Sequence, residues 1–201
     1  MLFLLYINDL SLHLDHGTND LYADDTTIHC SSRYVSDIDL QLNEDMKLVH
    51  EWCTDNDMVI NTAKSKVMLI GSCNKIQNVD SNLNVIYDNV ALDNVEYEKL
   101  LGVTFDNTLS WSQHISNMVP KISSRIGLMC RLRTYLQKEA LIMYYNAYIL
   151  PLFDYCCIIW GEITEANIDN LYTLQTRAAR VILNAKYDVQ KFICSATKKT
   201  F

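Results

Sequence analysis

The sequence is poor in the two residues that most often interrupt regular structure, with five glycines and two prolines in 201 positions. That scarcity excludes collagen-like and low-complexity chains and leaves no material for a long flexible linker. No internal repeat stands out. Seven cysteines are present (Cys30, Cys53, Cys73, Cys130, Cys156, Cys157 and Cys194), but none forms a CxxC pair. An odd, scattered set argues for reduced thiols in an intracellular protein and against a disulfide framework. A zinc site drawn from His13, His16, His29 and Cys30 would match none of the usual ligand spacings. The opening run MLFLLYI is too short to span a bilayer. It also lacks the basic leader and the small-residue cleavage site of a secretory signal. It reads as the middle of a buried element.

A surplus of positive charge is missing as well. The net charge is −7, so attraction of the whole protein to nucleic acid is excluded as the main affinity term. The charge is uneven, however. Residues 1 to 100 carry six Lys and Arg against seventeen Asp and Glu, whereas residues 101 to 201 carry eleven against seven. Such asymmetry suits an acidic metal-binding half and a half that touches phosphates. With 49% hydrophobic and 20% charged residues the composition is globular. A chain of this length buries about 70% of its unfolded surface.

Within the acidic half, LYADDTTI at 21 to 28 sets two aspartates side by side in a strand-like run. Two carboxylates about 5 Å apart repel by about 3 kcal/mol at an effective dielectric near 20. A divalent cation reverses the sign of that interaction. In a regular strand Asp24 and Asp25 would point to opposite faces. At a hairpin tip both approach one ion, so LYADDTTIHCS is expected to be strand, tight turn, strand. The plain alternative is that aspartate is an ordinary turn residue.

SDIDLQLNEDMKLVHEWC then predicts an amphipathic helix. It opens on a capping-box-like Ser36 and Asp39, and Ile38, Leu42, Met46, Val49, Trp52 and Cys53 share one face. MVIN and VMLIG predict two strands around a basic turn, with Gly71 as punctuation. NLNVIYDN and EYEKLLGVTFD continue in short strand-like pieces. After SWSQHI the spacing becomes helical, with Ile115, Met118, Val119, Ile122, Ile126 and Met129 recurring and Pro120 expected to start or kink the helix. ALIMYYNAYIL predicts a second helix ending at Pro151. IDNLYTLQTRAARVIL predicts a third, with Ile168, Leu171, Leu174, Ala178 and Val181 on its apolar face. Lys121, Arg125, Arg131, Arg133 and Lys138 form a basic run without an acid among them, the pattern of a solvated face or of phosphate contact. The expected fold is α+β, with the boundary between a mixed first part and a helical second part near residue 108.

Five segments resemble, in order and spacing, the reverse transcriptases (RNA-directed DNA polymerases) of non-LTR retrotransposons. They are YINDL (6 to 10), LYADDTTI, WCTDNDMVINTAKSKVMLIG, YEKLLGVTFDNTLSWSQHI and LQTRAARVI, and together they span roughly residues 1 to 185. The resemblance implies a partial polymerase palm over residues 1 to 108 and a helical thumb-like region over 109 to 201. It implies that Asp24 and Asp25 are catalytic metal ligands for Mg²⁺ or Mn²⁺. Tyr22 and Ala23 would lie beside the primer terminus, and Lys64 near the incoming triphosphate. Leu101 and Gly102 fall in the stretch resembling the primer grip. Lys121, Arg125, Arg131 and Arg133 would follow the template–primer backbone. The chemistry is in-line phosphoryl transfer with RNA template and DNA primer as partners.

The family's further essential aspartate, on an upstream palm strand, has no counterpart in these residues. Asp9 matches the YINDL aspartate instead, a cap or turn position. The two-ion site is therefore expected to be incomplete and the chain inactive alone, with a complementary N-terminal half as an expected partner and no membrane, and the kind of element implies a cytoplasmic or nuclear compartment. Unpaired strand edges and exposed apolar surface are expected to limit solubility. The stretch VQKFICSATKKTF departs from the family pattern. Two other readings remain open. One is a non-catalytic remnant that binds nucleic acid or protein. The other is a different two-aspartate enzyme such as a nuclease, which would need further ligands, His29 being the nearest in sequence.

Overall fold

The computed structural model describes residues 2–78, 83–161 and 163–185, so Cys194 and the divergent C-terminal stretch lie outside the described residues. The fold is mixed α+β, as expected, and it divides into two units, Met1–Glu98 and Lys99–Phe201.

In the first unit, α1 (Leu2–Ile7) leads into a 3₁₀ turn over Asn8–His13 that holds Asp9 in its first turn. Over the described side chains of the opening run the expected burial is not seen within this unit: Phe3, Leu4, Leu5 and Tyr6 are exposed, and Ile7 is buried. Strands β1 (Thr18–Tyr22) and β2 (Asp25–His29) follow as an antiparallel pair. The long helix α2 (Val35–Asp55) comes next and carries Met46, Val49, Trp52 and Cys53 into the core, as its periodicity requires. Burial of each such side chain is worth about 2 kcal/mol.

The capping box is a correction. Helix α2 starts one residue before Ser36, Tyr34 is its cap without a side-chain hydrogen bond, and Ser36 Oγ reaches only Asp37. Asp39 is occupied elsewhere, accepting from Asn84 N at 2.7 Å, while Asn43 accepts from Ile86 N at 2.9 Å and donates to Asn84 O at 3.0 Å. These two side chains hold the chain entering the next strands.

Of the two strands expected after α2, MVIN forms none. Its alternation is real, with Met58 and Ile60 against the core and Val59 outward, but no partner supplies a ladder. VMLIG contributes only Val67 to β3 (Lys66–Val67). An unexpected helix, α3 (Cys73–Asn78), follows Gly71. Strands β4 (Ile86–Tyr87) and β5 (Val90–Ala91) pair antiparallel, and β6 (Asp93–Asn94) pairs parallel with β3.

Strands β7 (Tyr97–Leu100) and β8 (Val103–Asp106) form a hairpin before the helices of the second unit. There α4 (Ser112–Leu132) buries Ile115, Met118, Ile122, Ile126 and Met129 against Leu171, Leu174, Ala178 and Val181 of α8 (Glu165–Leu183). Pro120 does not start α4; it lies inside it on the exposed side. Pro151 does not end its helix either. Helix α5 (Lys138–Tyr144) passes through a π-helical turn, Tyr145–Ile149, into α6 (Leu150–Asp154), where Pro151 occupies the first turn and needs no N–H. A short α7 (Cys157–Trp160) precedes α8. Ile168, expected in the core, is exposed on α8.

The loop into α4 is organised by Asp106. Its carboxylate accepts from Thr108 N and Oγ1, Ser110 N and Oγ, and Trp111 N, at 2.8 to 3.2 Å. Burial alone would raise its pKa. The hydrogen bonds from Ser110, Thr108 and Trp111 outweigh that and hold the carboxyl below the usual range. A depressed folded pKa contributes stability above the unfolded value near 4, lost as pH falls through the folded value. Asp106→Asn is therefore expected to destabilise the second unit by about 1–3 kcal/mol at pH 7. Urea unfolding followed through Trp111 and Trp160 should show that difference shrinking toward pH 3.

Candidate metal and nucleic-acid site

The register of the first hairpin pairs Thr18 with His29, Asn19 with Ile28, Asp20 with Thr27, Leu21 with Thr26 and Tyr22 with Asp25. That leaves a two-residue turn, Ala23 and Asp24. Ala23 adopts φ 55°, the left-handed conformation that tight hairpin turns require at their first central position. A side chain there costs about 1 kcal/mol, and alanine is among the smallest that can carry one. Because the side-chain period is two, Leu21 and Ile28 share a face, and both pack on the first core. Tyr22 and Asp25 belong to the opposite face, and Asp24 occupies the turn. Tyr22, Ala23, Asp24 and Asp25 are all exposed.

The break in the pleat thus falls where the sequence reading places it, and both carboxylates lie at the hairpin's tip. Two exposed, hard oxygen donors suit Mg²⁺ or Mn²⁺, which keep several waters and take few protein carboxylates. Among the described residues no group of three or more His, Cys, Asp or Glu could hold a metal. His29 lies at the other end of the hairpin, with Nε2 2.8 Å from Thr18 Oγ1 and Nδ1 3.7 Å from Asp20 Oδ2. It is engaged at the base, away from the aspartate pair. His16 pairs with Glu44 at 2.7 Å.

The base of the hairpin holds a residue that sequence reasoning missed. Asp45, on α2, is fully buried and accepts from the backbone N–H of Asp15 at 3.0 Å, His16 at 3.1 Å and Gly17 at 2.6 Å. Gly17 is required there, since a β-carbon would stand 2.9 Å from Asp45 Oδ2 and 3.1 Å from His29 O. The available signal was an acid inside the apolar stripe, three residues after Leu42 and four before Val49.

Lys64 is exposed on a turn between α2 and β3, its N–H donating to Asn61 O at 3.0 Å. It belongs to the same unit as the hairpin, and no hydrogen bond or ion pair joins it to the tip among the described residues. Leu101 and Gly102 form the turn between β7 and β8, with φ 47° and 89°. Tyr155 covers this turn: its hydroxyl donates to Leu101 O at 2.6 Å, and a β-carbon on Gly102 would lie 3.3 Å from its ring.

Lys121, Arg125 and Arg131 lie on α4, and Arg133 caps its end. Lys121, Arg131 and Arg133 are exposed, whereas Arg125 is half-buried and donates to Tyr148 O. The basic run is not one continuous stripe, because at 3.6 residues per turn Arg131 stands about 80° from Lys121 around the helix. Arg133 and Lys138 line a cleft of about 380 Å³ with Leu136, Leu141 and Ile182. Among the described residues no helix is long and apolar enough to cross a membrane.

No protein-family model matches the chain, and no solved structure does. It is similar to a probable RNA-directed DNA polymerase from transposon BS of Drosophila melanogaster, with 25% identity over 174 residues, 84% of this chain and 19% of that protein. It is also similar to the RNA-directed DNA polymerase from mobile element jockey of the same fly, with 24% identity over 83% of this chain and 18% of that protein. A probable polymerase from transposon X-element matches at 22% identity over 84% of this chain and 18% of that protein. The chain therefore spans under one fifth of the length of these three relatives.

The covered turn gives a direct test. Gly102→Ala is expected to cost about 1 kcal/mol or more from its left-handed backbone, and Tyr155→Phe about 0.5–1.5 kcal/mol from the lost hydrogen bond. Urea unfolding of the two variants measures both.

Proposed function

We propose, from the kinship of this chain with non-LTR retrotransposon reverse transcriptases, that it supplies the later palm and thumb portions of an RNA-directed DNA polymerase. The observation that carries the proposal is the exposed Asp24–Asp25 pair at the tip of a tight hairpin. In this reading residues 1 to 108 are the palm portion and 109 to 201 the thumb-like portion.

Asp24 and Asp25 would hold Mg²⁺ or Mn²⁺, with Asp24 the more direct ligand. Bound divalent ions supply charge neutralisation at the attacking and leaving oxygens of phosphoryl transfer. Ala23 leaves room at the tip for a primer end, and the exposed Tyr22 ring offers that end an apolar surface. Lys64 would attract the triphosphate. The Leu101–Gly102 turn, stiffened by Tyr155, would press on the primer as a rigid backbone edge. Lys121, Arg131 and Arg133 are free enough in solvent to meet phosphates, and Arg125 retains donors beyond the one given to Tyr148.

Two carboxylates hold a divalent ion weakly, so the 201-residue polypeptide is expected not to extend a primer by itself. Joined to the upstream part of the jockey polymerase, it is expected to extend a DNA primer on an RNA template. Asp24→Ala with Asp25→Ala should then lower the rate at least about a thousandfold, near 4 kcal/mol of barrier. Extension that survives the double substitution would contradict the proposal.

A further inference from the structure

The hairpin that carries Asp24 and Asp25 is weakly fixed by its own side chains. None of the ten residues of β1 and β2 is fully buried; of their hydrophobic side chains Leu21 and Ile28 pack against the core, and among the described residues no third strand pairs with either edge. Strands with so little burial specify register poorly, and a slip of one residue would turn every side chain to the other face. What lies beneath the hairpin is unlike the rest of it. Asp45 is fully buried and its two oxygens take three successive backbone N–H groups, the last being that of Gly17, immediately before β1 begins. The same β-carbon position at Gly17 is also crowded by His29 O at 3.1 Å and Ile28 Cγ2 at 3.3 Å, where β2 ends. Asp45 thus holds the chain entering β1 next to the pair Thr18–His29, at the opposite end of the ladder from the aspartates.

We infer that Asp45 is a positioning residue for the metal-binding tip: by anchoring the three amides before β1 it sets the register and direction of the hairpin that presents Asp24 and Asp25. This rests on the reading of those aspartates as metal ligands. The anchored amide of Gly17 lies about 17 Å from Tyr22 along the strand, so small rotations at the base become large displacements of the carboxylates. A neutral side chain of the same shape cannot replace it. An asparagine would offer one acceptor instead of two and turn N–H groups toward the backbone donors.

The test uses the full chain with Mn²⁺ alone, whose paramagnetism broadens the NMR signals of nearby amides and so reports weak binding. In the wild type, broadening is expected to centre on residues 22 to 26 and to vanish with Asp24→Ala plus Asp25→Ala. Asp45→Asn is expected to weaken apparent Mn²⁺ affinity at the tip about tenfold or more, with the Trp52 signal of the folded core retained. Gly17→Ala, which crowds the anchor while leaving Asp45 itself intact, should act in the same direction if Asp45→Asn fails to fold. Tip broadening absent from the wild type would overturn the metal reading and the inference together. Tip broadening present in the wild type and unchanged in folded Asp45→Asn or Gly17→Ala would overturn the inference alone, leaving Asp45 a purely structural residue.

Discussion

The carboxylate of Asp45, sealed from water and satisfied by three consecutive backbone N–H groups, is the contact that ties the base of the first hairpin to α2. A buried carboxylate without partners would be costly, and each lost donor would leave a penalty of about 1–3 kcal/mol. With its partners in place it ties a loop that has no secondary structure of its own to the helix that carries Met46, Val49, Trp52 and Cys53 into the core. The hairpin projecting from that loop then needs few contacts. Its tip is free of the core, and Tyr22, Ala23, Asp24 and Asp25 are exposed there.

The same device recurs elsewhere. Asp39 and Asn43, on the same helix, hold the backbone of Asn84 and Ile86. Asp106 holds the loop that opens α4 in the second unit. Beside it, Thr104 N donates to His114 Nδ1 at 3.2 Å, a bond that needs that nitrogen unprotonated. Burial, with Lys121 nearby, lowers the pKa of this histidine accordingly. In a chain with five glycines, irregular segments are shaped by polar side chains that accept from the backbone, and left-handed turn positions fall to Ala23 and Leu101 as well as Gly102. Ala23 and Leu101 are two of nine non-glycine residues with positive φ among the described residues, and Asp88 and Asn89, in the turn between β4 and β5, are two others.

Much of this was legible in the sequence where local signals and tertiary needs agree. The period of α2 and α4 gave their buried faces, and the break in LYADDTTI gave the hairpin turn. Reading failed where long-range partners decide. MVIN alternates like a strand but meets no neighbouring strand. Ser36 and Asp39 have the spacing of a capping box, yet Asp39 is drawn to Asn84, 45 positions away. Pro151 looks like a terminator, but the π turn before it lets the chain re-enter a helix in a first turn where proline fits. Asp45 was hidden because an acid in an apolar stripe resembles a surface residue until its donors, 28 to 30 positions earlier, are brought to it.

The most direct test of this account is amide hydrogen exchange at Asp15, His16 and Gly17. If Asp45 anchors the hairpin, these three loop amides exchange as slowly as the core amides of α2, well below the rates of Ala23 and Asp24 at the turn. If they exchange as fast as the turn, the anchor is not formed, and the hairpin's placement must come from some other contact.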